Sequence, residues 1–236
     1  ALIGVANQLD PNVLKLAFIF ILVGYGTKVG LVPMHTWLPD AYSEAPAPIA
    51  AMLAGVLETV AVYTVLRNKA LVDQALPPEF TGNLLLTFGL LSFMVAGLFL
   101  HRQRDIKRMF AYSSIEHMGL MTFAFGLGGP VANFAGLLHM TVHSLIKSAI
   151  FFAVGHATQK AGTQVMDDIR GLVRISPTVG WGLMIGTLAI LCPDERPLLA
   201  CVAAMAAAIC APKPPTPPTP TKTAMSPAPR PLRRIA

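Results

Sequence analysis

Residues 84–100 read LLLTFGLLSFMVAGLFL, a run without a single charged side chain. The run does not alternate between apolar and polar residues, as a strand of a membrane β-barrel would. A helix needs about 20 mainly apolar residues to cross a hydrocarbon core of about 30 Å. This stretch therefore predicts a transmembrane helix.

Similar apolar runs recur along the chain. Of its 236 residues, 54% are hydrophobic and 13% are charged, which is too little polar surface for a water-soluble protein. The predicted spans cover residues 13–33, 47–66, 83–100, 113–128, 131–154 and 177–192, and a seventh is uncertain at 197–211. We expect an all-α fold, a polytopic transmembrane helical bundle of six to seven spans with at least one broken helix.

The last part of the chain, residues 193–236, differs in composition. Of the 20 prolines, 11 lie from Pro193 onward, so we expect an aberrant or disordered Pro-rich basic tail, for which contact with anionic lipid is an alternative. Five of the six excess positive charges lie within residues 197–236, at Lys213, Lys222, Arg230, Arg233 and Arg234. The remainder has no basic groove, so we expect no nucleic-acid partner.

A polar stripe crosses the predicted span 131–154. His139, His143 and Lys147 are spaced four residues apart, so they share one face of a helix over about 12 Å. Imidazoles gain and lose protons near neutral pH, so two of them beside a buried amine suit a proton relay. A structural hydrogen-bonded stripe is an alternative. Metal ligation by the two histidines is another, although no acidic third ligand is evident nearby.

Two more ionisable groups lie inside apolar runs, where they are costly. Lys28 follows Gly24 and Gly26 and precedes Gly30 and Pro33, a pattern that predicts a broken helix of the kind found at ion sites. The alternative is that Lys28 extends its ammonium to the membrane surface.

The second group is Glu58, midway along span 47–66. It could exchange protons or form a static ion pair with a lysine of a neighbouring helix. Glu116 and His117, at the start of span 113–128, are expected nearer an interface than the bilayer centre. They are candidates for either a relay or a structural role.

No redox centre is expected in this chain. Its three cysteines, Cys192, Cys201 and Cys210, have a spacing that suits neither a metal site nor a redox pair. The residues also indicate no catalytic group, bound cofactor or resident metal.

Three strings, taken in order, carry a family resemblance. Residues 24–48 (GYGTKVGLVPMHTWLPDAYSEAPAP), 103–119 (QRDIKRMFAYSSIEHMG) and 139–163 (HMTVHSLIKSAIFFAVGHATQKAGT) resemble the antiporter-like membrane subunits of respiratory complex I. They are most similar to the F component of hydrogenase-4, and the family also includes subunits of multisubunit cation/proton antiporters. The resemblance covers about residues 1–190 and implies inverted repeats with broken helices at the conducting sites. It defines residues 1–192 as a partial antiporter-like, proton-translocating transmembrane domain.

The resemblance also assigns roles to individual residues. Lys28 matches a lysine that normally pairs with a glutamate two helices earlier, and Lys147 matches the central lysine, with His139 and His143 on the same helix. Asp105 and Lys107 fall in a turn before a helix, where a relay role and a structural role are both open. One departure is that several complex I relatives have a lysine where this chain has Thr59, beside Glu58.

The resemblance implies a proton-translocating subunit of a redox-driven complex, of the energy-converting hydrogenase or formate hydrogenlyase type. The relay would use Lys28, Glu58, His139, His143 and Lys147. The expected partners are the lipid bilayer, other membrane subunits and a peripheral hydrogenase or dehydrogenase arm, and the expected location is the bacterial inner membrane. The alternatives are a cation/proton antiporter subunit without a redox arm and an inactive truncated fragment.

Overall fold

The computed structural model of the chain describes residues 10–169, residue 173 and residues 176–190, and none of these forms a strand. Residues 193–236 and the uncertain span 197–211 lie outside the described part. The helices are α1 (Pro11–Val29), α2 (Trp37–Glu44), α3 (Ala47–Met52), α4 (Glu58–Ala75), α5 (Pro78–Leu100), α6 (Ile106–Leu127), α7 (Gly129–Ala161) and α8 (Pro177–Ile190). A π-helical turn, Leu53–Leu57, joins α3 directly to α4, and a 3-10 turn, Met166–Asp168, comes after α7.

Four helical stretches of the described residues are long and apolar enough to cross a membrane. They are Pro11–Val29, Ala47–Ala75, Pro78–Leu100 and Gly129–Ala161, and each contains or overlaps a predicted span. The other two predicted spans correspond to α6, which carries charged residues in its first turns, and to α8, which is described over 14 residues. The predicted all-α, multi-pass membrane fold is confirmed.

The predicted helix break lies later than the glycines suggested. Helix α1 continues through Gly24 and Gly26 and ends at Val29. Gly30 then adopts a left-handed conformation at φ 83°, and its N–H donates to the carbonyl groups of Gly26 and Thr27. Such a conformation is easy only for a residue without a Cβ, so Gly30 rather than Gly24 or Gly26 determines where the helix stops.

Helix α6 is the central element of the bundle. It supplies Phe110 and Ile115 to one buried apolar cluster, shared with α2, α3 and α7, and Met118 and Met121 to a second, shared with α1, α4 and α5. Because neighbours enclose most of α6, several of its ionisable side chains are buried, among them Lys107, Glu116 and His117.

Helices α5 and α6 approach each other through paired glycines. A Cβ placed on Gly89 would lie 2.7 Å from the carbonyl oxygen of Gly119, so a larger residue there would force the two backbones apart. This close packing holds one face of α6 against α5.

The π-helical turn packs tightly against α7 and sets the direction of Glu58. Ser144 donates to the Gly55 carbonyl oxygen at 2.5 Å, and Ser148 donates to the Ala51 carbonyl oxygen at 3.2 Å. A π turn inserts a residue into the helix and leaves carbonyl groups poorly paired, which these hydroxyls compensate. Glu58 is the first residue after this turn, and its N–H closes the turn onto the Leu53 carbonyl.

Substitution of Gly55 by alanine tests this packing. The added Cβ would lie 2.0 Å from the Ser148 hydroxyl and 3.0 Å from the Ser144 carbonyl oxygen. We expect Gly55→Ala to destabilise the protein by about 1–3 kcal/mol, as overpacking does. Thermal unfolding of the intact protein in detergent measures the change.

The matched control is Gly24→Ala, because no atom of the described residues lies within 4 Å of a Cβ at that helical position. Its melting temperature should equal or exceed that of the wild type, since alanine is the better helix former. Equal melting temperatures for the two variants would contradict the tight contact of the π turn with α7.

Candidate functional site

A fully buried lysine lies at the centre of the site. Lys147, on α7, is 0% exposed, and its Nζ donates to the Phe110 carbonyl oxygen of α6 at 3.0 Å. The same ammonium lies 5.5 Å from the centre of the Phe110 ring. Glu58 and Glu116 are the carboxyl groups that attract it electrostatically. Removing an ammonium from water is costly unless such partners surround it, so Lys147 requires these neighbours.

Glu58 is the acidic group on the opposite side of the site. It is 1% exposed at the start of α4. Its Oε1 accepts a hydrogen bond from the Tyr42 hydroxyl of α2, and its Oε2 lies 3.7 Å from Nε2 of His143. The carboxyl group therefore connects α2 to the histidines of α7.

Three histidines from two helices meet beside this carboxyl group. Nδ1 of His117, on α6, lies 3.1 Å from Nε2 of His139, on α7, so one nitrogen donates a hydrogen bond to the other. The ring centre of His143 lies 5.5 Å from that of His117 and 6.4 Å from that of His139. His117 and His143 are buried, whereas His139 is only partly buried.

The polar groups form a continuous series across the bundle interior. It runs from Tyr42 through Glu58, His143 and His117 to His139, which is the most accessible member. Neither ring nitrogen of His143 has a hydrogen-bond partner among the described residues. A rotation of the His143 ring toward Glu58 or toward His117 would therefore break no hydrogen bond to a described residue.

The structure brings together four of the five predicted relay residues. Glu58, His139, His143 and Lys147 lie in the site, but Lys28 does not. It lies in the last turn of α1 with an exposed side chain, and no hydrogen bond or ion pair joins it to another described side chain. A role for Lys28 remains a prediction from the resemblance alone.

Glu116 and His117 lie farther from the start of their helix than the sequence indicated. Helix α6 begins at Ile106 rather than near residue 113, so these two residues fall at its midpoint, and each is 3% exposed. The extra turns were not recognised because Lys107 and Arg108 look like loop residues. Both charged groups have hydrogen-bond or ion-pair partners within the protein, so the helix can begin before residue 113.

The charged residues at the start of α6 have structural partners. Asp105 caps the helix by accepting from the N–H groups of Lys107 and Arg108, at 2.8 and 3.1 Å. Nζ of Lys107 donates to the Ser43 and Ala45 carbonyl oxygens at the end of α2. Arg108 forms an ion pair with Asp40 at 2.7 Å. Of the two roles considered for Asp105 and Lys107, these contacts support the structural one.

Tyr42 is the site residue that the sequence analysis missed. It lies in the segment 35–48, whose prolines and Trp37 are typical of a rigid interfacial turn. The segment instead contains α2, and the Tyr42 ring is 0% exposed and packs edge-on against Phe151 at 4.9 Å. A tyrosine opposite a buried carboxyl group has no periodic sequence signal, since α2 has only eight residues.

The fold and this site agree with a known protein family. The family model described as "NADH:quinone oxidoreductase/Mrp antiporter, TM" matches residues 3–209. The chain therefore belongs to the family of antiporter-like transmembrane subunits of NADH:quinone oxidoreductases and Mrp antiporters, as the resemblance had indicated.

Individual relatives place the chain within this family. It is 55% identical over 185 residues to the hydrogenase-4 component F homolog of Methylacidiphilum infernorum, covering 78% of this chain and 39% of that protein. It is 36% identical over 168 residues to chain 4 of the NAD(P)H-quinone oxidoreductase of Prochlorococcus marinus, covering 71% of this chain and 31% of that protein. The chain thus spans well under half the length of these relatives.

A solved structure shows the same fold. A chain of the membrane-bound sulfane sulfur reductase, an archaeal respiratory membrane complex, superposes with a TM-score of 0.73 at 27% identity. The superposition covers 88% of this chain and 47% of the other. The chain is thus an antiporter-like, multi-pass membrane subunit.

Substitutions of Asp105 separate its capping role from a relay role. Asparagine can still cap the helix, whereas alanine leaves the N–H groups of Lys107 and Arg108 without this acceptor. We expect Asp105→Asn to melt close to the wild type and Asp105→Ala to lose about 0.5–2 kcal/mol of stability. Thermal unfolding of the intact protein checks both values. Loss of proton movement in a stable Asp105→Asn protein would show instead that the carboxyl group conducts.

Proposed function

We propose that this chain moves protons across the membrane through the buried series of Glu58, His143, His117 and His139, controlled by Lys147. The single observation that carries the proposal is the complete burial of Lys147 beside these titratable groups. Buried ionisable groups in a membrane protein are costly, and they are typically found at ion or proton pathways.

The contacts indicate how a proton could travel. A proton taken up at the partly exposed His139 can pass through its 3.1 Å contact to His117. From His117 the proton passes to His143, whose ring centre lies 5.5 Å from that of His117. Rotation of the His143 ring, which no hydrogen bond to a described residue holds, then carries the proton toward Glu58, whose Oε2 lies 3.7 Å away. The Tyr42 hydroxyl holds the other carboxyl oxygen and so fixes the direction of Glu58.

Lys147 supplies the charge that controls these steps. While its ammonium is present, it favours the ionised forms of Glu58 and Glu116 and opposes protonation of the nearby histidines. Loss of the Lys147 proton reverses both effects. The groups therefore titrate as one coupled set, in which each proton shift changes the proton affinity of the next group.

The proposal extends to the assembly that would drive these shifts. The relative at 55% identity is named as a hydrogenase-4 component, so we assign the chain to a redox-driven complex of the energy-converting hydrogenase or formate hydrogenlyase type. Its partners would be further membrane subunits and a peripheral hydrogenase or dehydrogenase arm that carries the redox centres. The membrane would be the bacterial inner membrane, and Lys28 would serve a second relay whose acidic partner lies outside the described residues.

A cation/proton antiporter subunit without a redox arm is the second candidate, because the matching family model also describes Mrp antiporters. The two differ in their source of energy. Proton movement that depends on hydrogen or formate oxidation supports the first. Proton movement driven by an imposed Na⁺ gradient without an electron donor supports the second.

Substitution of Lys147 is the direct test of the relay. Methionine removes the ammonium but keeps a flexible side chain of similar length, so we expect Lys147→Met to lower proton movement by at least about tenfold. The measurement is electron-donor-dependent acidification of vesicles that carry the assembled complex with this subunit intact. The matched control is Lys160→Met, on the same helix but exposed in its last turn, which should retain activity.

Protein amount and thermal stability are measured for both variants. Unchanged acidification by a folded Lys147→Met protein would overturn the proposal and would leave a structural role for the polar series.

A further inference from the structure

The three histidines converge more closely than a linear relay requires. One nitrogen from each of His117, His139 and His143 can be chosen so that all three lie within 4.8 Å of one another. From the sequence, His139 and His143 were the two candidate ligands, and no acidic third ligand was evident nearby. Helix α6 supplies a third ligand, His117.

The spacing of these nitrogens is close to that of a metal site. Zinc binds histidine nitrogens at about 2.0–2.1 Å with tetrahedral geometry, so two ligand nitrogens lie about 3.4 Å apart. His117 and His139 already have nitrogens 3.1 Å apart. His143 must turn to approach them, and this turn would break no hydrogen bond to a described residue.

The donor set also indicates which ions would bind. Three imidazoles suit borderline divalent transition metals such as Zn²⁺ and Co²⁺, whereas Mg²⁺ and Ca²⁺ prefer oxygen ligands. His139 is the partly exposed member and offers the route of entry. Glu58 and Glu116 can offset the charge of the ion, and Lys147 opposes it until its own proton leaves.

We propose that His117, His139 and His143 form a binding site for a divalent transition-metal ion such as Zn²⁺, and that an ion bound there blocks proton passage. The binding half of the inference stands on the geometry of the three rings. The blocking half rests on the proposed function, because a metal occupies the nitrogens through which the proton would pass.

Binding is tested on the intact protein purified in detergent. Co²⁺ is titrated with its visible absorption as the readout, and Zn²⁺ then displaces it. We expect one ion per chain, and at least about tenfold weaker binding in each of His117→Gln, His139→Gln and His143→Gln. The matched control is His156→Gln, an exposed histidine of α7 outside the cluster, which should bind as the wild type does.

The wild-type titration tests for the metal site even where a variant fails to fold. Absence of saturable binding in the folded wild-type protein would overturn it. Equal affinity in all three folded cluster variants would overturn it as well, since the ions would then occupy another place.

Transport measured with added Zn²⁺ separates the two halves. In vesicles carrying the wild type or His156→Gln, acidification should fall over the same Zn²⁺ concentrations that displace Co²⁺. Binding without inhibition would contradict the block and the histidine path, but not the site itself. Proton movement without metal binding would leave the proposed function intact and overturn this inference.

Discussion

The burial of the Lys147 ammonium is the constraint on which the rest of the site depends. An isolated charge in a low-dielectric interior is unstable by several kcal/mol, so the chain must place acceptors and opposite charges around it. The Phe110 carbonyl group, Glu58 and Glu116 meet this need from two other elements, α6 and α4. The packing of α7 against both is therefore a condition of folding as well as of function.

Two groups of charged residues along the chain serve different purposes. At the start of α6, Asp105, Lys107 and Arg108 are each fixed by a hydrogen bond or ion pair to a helix end or to Asp40. In the middle of the bundle, the ring nitrogens of His143 form no hydrogen bond to the part of the chain that the structure describes, and Nε2 lies 3.7 Å from Glu58. Charged groups with fixed hydrogen bonds or ion pairs hold the helices together, whereas a group without a fixed hydrogen-bond partner can exchange protons with its neighbours. On this criterion the central groups are the candidates for the relay.

Helical periodicity is the feature of this protein that its sequence predicts best. The spacing of His139, His143 and Lys147 places them on one face, and apolar runs locate four of the spans well. Contacts that depend on a π-helical turn or on the residue at which a helix begins cannot be predicted from periodicity. The π turn before Glu58 has no recognisable sequence pattern. Helix α6 begins earlier than its apolar run, which places His117 at the middle of the helix. This early start could not be predicted, because the charged residues there have partners that are distant in the chain.

The measurement that most directly tests the central account is infrared difference spectroscopy of the intact protein in proteoliposomes, recorded as a proton gradient is imposed. A carboxyl group that gains or loses a proton produces a carbonyl stretching band that shifts in D₂O. A proton path through Glu58 predicts such a band in the wild type and in the exposed-residue control Glu79→Gln, and its loss in Glu58→Gln, which keeps the side-chain shape. A Glu58 carboxyl group whose protonation stays constant while protons cross the membrane would contradict the account.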